Sequence, residues 1–412
     1  MGHGARRWLL VEPARPARVR EWHGAAWLAV GTVCIGAFMG QLDASIVSLA
    51  LPTLRSAFGV SLGAVEWVTL AYLVVLVSAV VAVGAVADRV GRKLLYIYGF
   101  VVFGVASAAC GVAPGFAALI AARVVQAFGA AMLQANSVAL VKEAAPPGRL
   151  GRAIGMQGAA QALGLAAGPA VGGVLIGLGG WRLVFLVNIP LAVLGTALAW
   201  VLLPRSRSFS DRVRLRVPMR GIAAGLALAF VAYLTLFGTL FAVPFFLQLG
   251  LQRSAAAAGF ELCVLPLALA LVAPWAGRLG DRFGPRLPAL LGMLIASVAL
   301  GAAAAAHGSE SLLLLEMALL GAGLGLQIPA NNAMVMAAAP PQRTGVVGGL
   351  LNMTRGVGMA AGVAAAGLAF SAAGGTEAGG ASRGLSAACA TLAVAGLAGV
   401  ALGLRGSRAR RR

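Results

Sequence analysis

Apolar positions along this chain do not alternate with polar ones; they run together. Stretches of about twenty residues with almost no charge recur from end to end, separated by short segments that hold glycine, proline and arginine. A helical run of that length matches the hydrocarbon core of a bilayer, and a backbone in hydrocarbon must satisfy its own hydrogen bonds. The pattern predicts an all-α polytopic membrane protein with about twelve transmembrane helices, at roughly 26–51, 64–86, 94–114, 116–141, 153–177, 183–203, 221–248, 257–276, 287–306, 311–336, 343–371 and 385–404.

Composition agrees with this reading: 60% of the 412 residues are hydrophobic, 11% are charged, and the mean hydropathy is +0.92. A net charge of +20 would suggest nucleic acid in a soluble chain. Here the distribution of that charge is the informative quantity, because Lys and Arg are retained on the cytoplasmic side of membranes. With the N-terminus inside, 26 of the 32 Lys and Arg fall in cytoplasmic segments and four outside (Arg55, Arg182, Arg253, Arg383); Arg123 and Arg355 lie within spans. Both termini are therefore expected in the cytoplasm, with Trp67 and Trp181 near the outer face and Trp27, Trp200 and Trp275 near the inner one.

This ledger divides the chain into a basic N-terminus (1–25), a first six-helix bundle (26–203), a basic linker (204–220), a second bundle (221–404) and a basic tail (405–412). The linker reads as a cytoplasmic connection lying on anionic headgroups, and the tail as a solvated one without a nucleic-acid role. The first apolar run is too long for a signal-peptide core and is kept as a span. Cys34, Cys110, Cys263 and Cys389 are far apart and embedded, so they read as packing residues. No cysteine or histidine has metal-site spacing, and no cofactor or metal is expected.

The chain repeats itself. Gly84–Lys93, GAVADRVGRK, returns as Gly277–Arg286, GRLGDRFGPR, with Gly84, Asp88, Arg89 and Gly91 each matched 193 residues later, Asp281 and Arg282 among the matches. A short charged hairpin between hydrophobic spans, once in each half, signals an internal duplication. Gln327 follows Gln134 at the same offset, and Gly358 and Gly362 follow Gly164 and Gly168 by 194.

Polar residues inside spans are the candidate chemistry, since charge at that depth must face water, find a partner or change protonation. Asp43 ends the first span in LDASIVSLALP, and Arg123 begins RVVQAFGAAMLQAN at a similar depth in span four. Two readings are open for Asp43: a carboxyl that takes up a proton when its cavity dries and releases it when wetted, or a structural acid permanently paired with arginine. Gln126, Gln134, Asn136, Glu316, Gln327, Asn331, Asn352 and Arg355 are candidates for lining a substrate cavity, Glu316 toward a cationic compound and Arg355 toward an anionic one or a carbonyl. Glu66, Glu261 and Glu316 also read as wet acids near the outer face. Span five carries Gly155, Gly164, Gly168, Pro169, Gly172 and Gly173, either a flat face for close helix approach with a proline bend or ordinary small-residue packing.

These stretches resemble a known family. The charged hairpin is similar to the loop between helices two and three of the major facilitator superfamily. LDASIVSLALP, Arg123–Gln134, the span-five glycines and WRLVFLVNIP (Trp181–Pro190) resemble the motifs of its drug:proton antiporter branch, the multidrug efflux proteins that commonly have fourteen helices. The likeness covers most of residues 40–200 and, more weakly, 235–300. It implies two pseudo-symmetric six-helix bundles, the major facilitator fold, exchanging a central cavity between the two sides of the plasma membrane, with proton-coupled antiport that exports small amphipathic compounds such as drugs, dyes or a self-made metabolite as the expected activity. In that picture Asp43 and Arg123 couple protons, Gly164–Gly173 form a gating face, and Asp88, Arg89 and Arg92 a cytoplasmic latch.

The resemblance further implies a bacterial, monomeric transporter rather than an enzyme, with a role in antibiotic resistance, the proton gradient as energy source, and a small molecule and the bilayer as its only partners. An uptake symporter of a small nutrient and a non-transporting membrane sensor are the alternatives. The chain departs from the branch in having twelve spans, Ser45 and Ser48 where Thr and Asn are usual, and Pro285 in the second hairpin.

Overall fold

The structure, a computed structural model, describes residues 12, 14–16, 19, 22, 24–205, 219–305, 310–339, 344–377 and 379–408. Twelve helices among them are long and apolar enough to cross a membrane: α1 (Ala25–Phe58), α2 (Leu62–Val90), α3 (Arg92–Gly111), α4 (Phe116–Ala144), α5 (Leu150–Gly179), α6 (Arg182–Leu202), α7 (Ile222–Gly250), α8 (Ala255–Phe283), α9 (Arg286–Ala305), α10 (Leu312–Ala337), α11 (Val346–Ala372) and α12 (Ala381–Leu404). No strand occurs among the described residues. Most of the basic linker, all but four residues of the basic tail and Arg343 lie outside them.

Every predicted span holds a helix, and several helices outrun their apolar stretch, α1 reaching Phe58 and α2 reaching Val90, while α3 stops at Gly111, short of 114. The repeated hairpin is accordingly smaller than expected. GAVADRV is the last part of α2, and α3 begins at Arg92, so Gly91 alone separates them, at φ 114°. Ala, Val and Arg sustain a helix beyond the hydrocarbon, and one glycine at positive φ completes the reversal. Gly284, at φ 80°, serves similarly between α8 and α9. Pro244 withholds a backbone donor near the end of α7, which finishes in a π turn over Phe246–Gly250.

The chain forms two compact units whose border cuts across helices. Among the described residues, one contains those up to Ala44, Val75–Leu165 and those from Trp181 to Arg205; the other contains Ser45–Val74, Ala166–Gly180 and those from Met219 onward. The distal ends of α1, α2 and α5 thus pack with the second half of the sequence. In the first unit α3 lies on α4 and α6; in the second, α9 lies on α10 and α12, the same pairing one repeat later.

Glycines repeat this match at the closest approaches. A Cβ on Gly164 would strike Phe38 O, and one on Gly358 would strike Phe230 O. The first unit buries Tyr96, Phe100 and Phe103; the second buries Phe237, Phe241, Phe245 and Phe370. Large apolar side chains such as Leu178, Leu271 and Leu368 stand on the outer surface, more than two-thirds exposed, where lipid would cover them. Trp67, Trp200 and Trp275 are exposed as an interfacial belt requires, but Trp181 is not. It is buried, its ring edge-on to Phe185 at 6.2 Å, because the short α5–α6 turn folds it inward.

Candidate functional site

Asp43 is fully buried on α1, and two helices, α4 and α6, supply its partners. Arg123 Nη1 donates to Oδ2 at 2.7 Å; Gln126 Nε2, one turn further along α4, and Asn188 Nδ2 on α6 each donate to Oδ1 at 3.0 Å. Arg123 Nη1 also reaches Gln126 Oε1 at 2.7 Å, and Gln126 Nε2 reaches Ser107 Oγ on α3 at 2.8 Å. The Arg123 guanidinium lies 5.9 Å from the Phe185 ring centroid. Among the described residues every partner of the carboxylate is a donor, and the ion pair is buried.

Each charge of the pair depends on the other, since removal of either would leave its partner buried and uncompensated. The expected pairing at one depth is present, in a dry setting rather than beside a wet cavity. Gln126 belongs to this network, not to a cavity lining. Asn188 and Ser107 were not singled out by the sequence; their only signal was a neutral polar side chain in an apolar run, Asn188 inside WRLVFLVNIP.

The α5 glycines divide. Gly164 meets α1 at Phe38 and Leu42, and Gly168 meets it at Ser45 and Ile46, where an added Cβ would lie 2.7 Å from Ser45 Cβ. Gly172 faces Ile46 and Gly173 faces Ala255 and Ala256 of α8, 2.6 Å from a carbonyl oxygen to an added Cβ. Gly259 of α8 closes against the carbonyl of Pro169. Gly155 has nothing within 4 Å and does not belong to the packed face. Beside this contact Gln248 bridges α7 to α1, donating through Nε2 to Leu49 O at 3.1 Å and accepting from Thr53 Oγ1 at 3.4 Å. Glu66 of α2 is buried against Gly367 of α11, so it is not a wet interfacial acid. Glu261 is partly buried, its carboxylate 3.4 Å from Arg253.

At the opposite end of α2, Asp88 Oδ1 accepts from Arg92 Nε at 3.0 Å and Nη2 at 2.9 Å, and Arg92 Nη1 donates to Glu143 Oε1 at 2.9 Å. This chain of charges ties α2 and α3 to the end of α4. Gly84 is partly buried and Arg89 exposed. The second repeat has no such chain among the described residues: Pro285 stands where Arg92 does in the first, and Asp281 and Arg282 are exposed, Arg282 over the Phe283 ring at 5.1 Å.

What repeats instead is the next residue. Lys93 Nζ donates to the carbonyls of Trp200 and Leu203 at 2.9 and 2.8 Å, capping α6, and Arg286 Nη2 donates to Gly403 O and Leu404 O at 2.6 and 3.3 Å near the end of α12. The Lys93 cation complements the carbonyl end of α6, whereas Arg286 ties α9 to carbonyls within the last helix.

The remaining cavity candidates scatter. Asn136 is buried and donates to Met132 O of its own helix, and Gln134 is half-buried nearby. Gln327 and Asn331 of α10 are buried and bind α7 through Leu228 O (3.1 Å) and Gly225 O (2.9 Å). Glu316 is buried at a small apolar void with Thr239, Leu300, Met317 and Cys389, not at a wet surface. Arg355 is half-buried on α11, held by Asn352 and Asn332.

The family model of the Major Facilitator Superfamily matches residues 33–224 and 225–411, once for each repeat. The riboflavin transporter RibZ of Clostridioides difficile is 28% identical, over 82% of this chain and 87% of its own length. The tetracenomycin C resistance and export protein of Streptomyces glaucescens is 28% identical over 84% and 76%. A multidrug resistance protein B homolog of Mycobacterium tuberculosis is 31% identical over 76% and 70%. A bacterial homolog of the human lysosomal transporter Spinster, solved inward-facing and occupied, superposes with a TM-score of 0.79 at 19% identity, covering 94% of this chain and 98% of that one. Twelve helices, a packing scheme that repeats and a match spanning both halves agree: the chain belongs to the Major Facilitator Superfamily.

Proposed function

We propose that the protein is a proton-coupled antiporter that exports small amphipathic compounds by alternating access across a bacterial plasma membrane, as a monomer, with both termini in the cytoplasm and no bound cofactor. The observation that carries the reading is the sealed Asp43–Arg123 pair inside membrane-spanning helices, with Gln126 and Asn188 completing its donors. Such a pair is costly unless its charges can be exchanged or neutralised during the cycle. Protonation of Asp43 from the outside frees Arg123; the neutral carboxyl crosses the apolar barrier, and return of the pair on the cytoplasmic side expels the proton. A relative described as a resistance and export protein supports the direction. With the termini inside, the end closed by Gly173, Gly259 and Gln248 is the outer gate, and Asp88, Arg92 and Glu143 form the inner latch.

Everted membrane vesicles test this with ethidium and riboflavin as probes under an imposed pH gradient, acid inside. The wild type should accumulate a probe uphill, and Asp43→Asn at equal expression should equilibrate it without concentrating it. Uphill accumulation at wild-type rates by Asp43→Asn would refute the coupling role. The riboflavin-transporter relative favours a second reading, uptake of a flavin-like nutrient by symport; the two differ in whether proton and probe move in opposite directions or together in those vesicles.

A further inference from the structure

Arg355 lies nine residues into α11, about 14 Å along the helix, well within its span. Among the described residues no carboxylate pairs with it. Its Nη1 donates to Asn352 Oδ1 at 2.9 Å and its Nη2 to Asn332 Oδ1 at 2.7 Å. Its guanidinium stands 5.5 Å from the centroid of the Tyr233 ring, and its Nε is buried without a hydrogen-bond partner. Two neutral amide oxygens and a ring face fix the plane of the fork and leave its charge unmatched. Arg123, by contrast, has its charge answered by Asp43.

Glu316 does not supply the missing charge: it precedes Asn332 by sixteen residues on α10, roughly 24 Å along the helix. An unneutralised guanidinium at this depth is expensive. Its half-buried position leaves it open to a ligand. Tyr233, near-parallel to Phe237 at 17°, adds a flat apolar wall. The edge of a fixed guanidinium recognises an oxygen anion, and the ring beside it accepts a planar body.

We propose that Arg355, Asn332, Asn352 and Tyr233 form a recognition subsite for a planar aromatic compound bearing an anionic oxygen, a carboxylate or a phenolate. The inference narrows the substrate class of the transport reading and rests on that reading for the bound compound's being a substrate. A lipophilic cation would meet an unmatched positive charge at the same place.

The test is equilibrium fluorescence anisotropy on the full chain in lipid nanodiscs at pH 8, with fluorescein as anionic probe, nalidixate as competitor and ethidium as cation. The wild type should bind fluorescein saturably, nalidixate should displace it, and ethidium should bind at least about tenfold more weakly. Arg355→Gln should weaken fluorescein about tenfold or more; Arg355→Lys, which keeps the charge and loses the fork, should fall between. Neither change should weaken ethidium. Absence of saturable fluorescein binding by the wild type overturns the assignment. So does unchanged fluorescein affinity in folded Arg355→Gln or, should that variant not fold, in Arg355→Lys and Tyr233→Leu. No gradient enters the measurement, so a protein that binds fluorescein through Arg355 yet fails to concentrate any probe refutes the coupling reading and leaves this subsite standing.

Discussion

Removing the guanidinium of Arg123 would leave the Asp43 carboxylate buried with amide donors from Gln126 and Asn188 but without its ion-pair partner. Breaking one side of a buried pair costs about 3–5 kcal/mol, whereas replacing both members by apolar residues is often close to neutral. Arg123→Leu should therefore lower the thermal midpoint of the purified protein and its membrane yield, and Asp43→Leu/Arg123→Leu should recover most of the loss while concentrating no probe. Equal midpoints for the single and double variants would show that the pair does not anchor the fold. Asp43 and Arg123 were legible because a charge in an apolar run is conspicuous. Their surroundings were not: Gln126 and Gln134 look alike as polar residues on one helix, yet Gln126 is drawn into the pair and Gln134 is left half-buried elsewhere. Which side of α4 faces α1 is settled by packing, and no periodicity in a helix apolar all round reveals it.

The glycines of α5 were legible as a set, but the set is not uniform. Those from Gly164 to Gly173 sit where a Cβ would collide with α1 or α8, whereas Gly155 has open space around it. Overpacking of this kind costs about 1–3 kcal/mol. Gly168→Val and Gly173→Val should reach the membrane but slow probe transport severalfold, while Gly155→Ala should transport like the wild type, gaining slightly in helix propensity. Equal transport by all three would remove the gating role from this face. The capping of α6 by Lys93 and the tie of Arg286 to α12 carbonyls were missed, although the two residues had been aligned by the repeat. Their partners are main-chain carbonyls more than a hundred positions away, which carry no sequence signature. The loss of the second latch, in contrast, was visible as Pro285, which has no side-chain donor to replace that of Arg92.

For the whole molecule, the duplication could be read directly from an offset of 193 residues, and the repeated packing of α3 on α4 and α6 as α9 on α10 and α12 follows it. The grouping into compact units could not be read, because it depends on which helix ends are closed in the conformation adopted, and a transporter's sequence must encode more than one. Here the distal ends of α1, α2 and α5 pack with the second half, and Thr53 Oγ1 stands 3.4 Å from Gln248 Oε1 across α1 and α7. If this end is the outer gate, it has to open once per cycle, and a covalent tie across it should hold the protein in the closed state. With Cys34, Cys110, Cys263 and Cys389 replaced by serine, Thr53→Cys/Gln248→Cys treated with a short thiol-bridging reagent should lose uphill accumulation of ethidium or riboflavin in everted vesicles. Each single cysteine variant treated in the same way should keep it, which separates a mechanical lock from chemical damage. A disulfide formed by mild oxidation should arrest transport in the same way, and reduction should restore it. Full transport by a protein shown on gels to be cross-linked would mean that this contact never opens, and the gate would have to be sought at the Asp88–Arg92–Glu143 end instead.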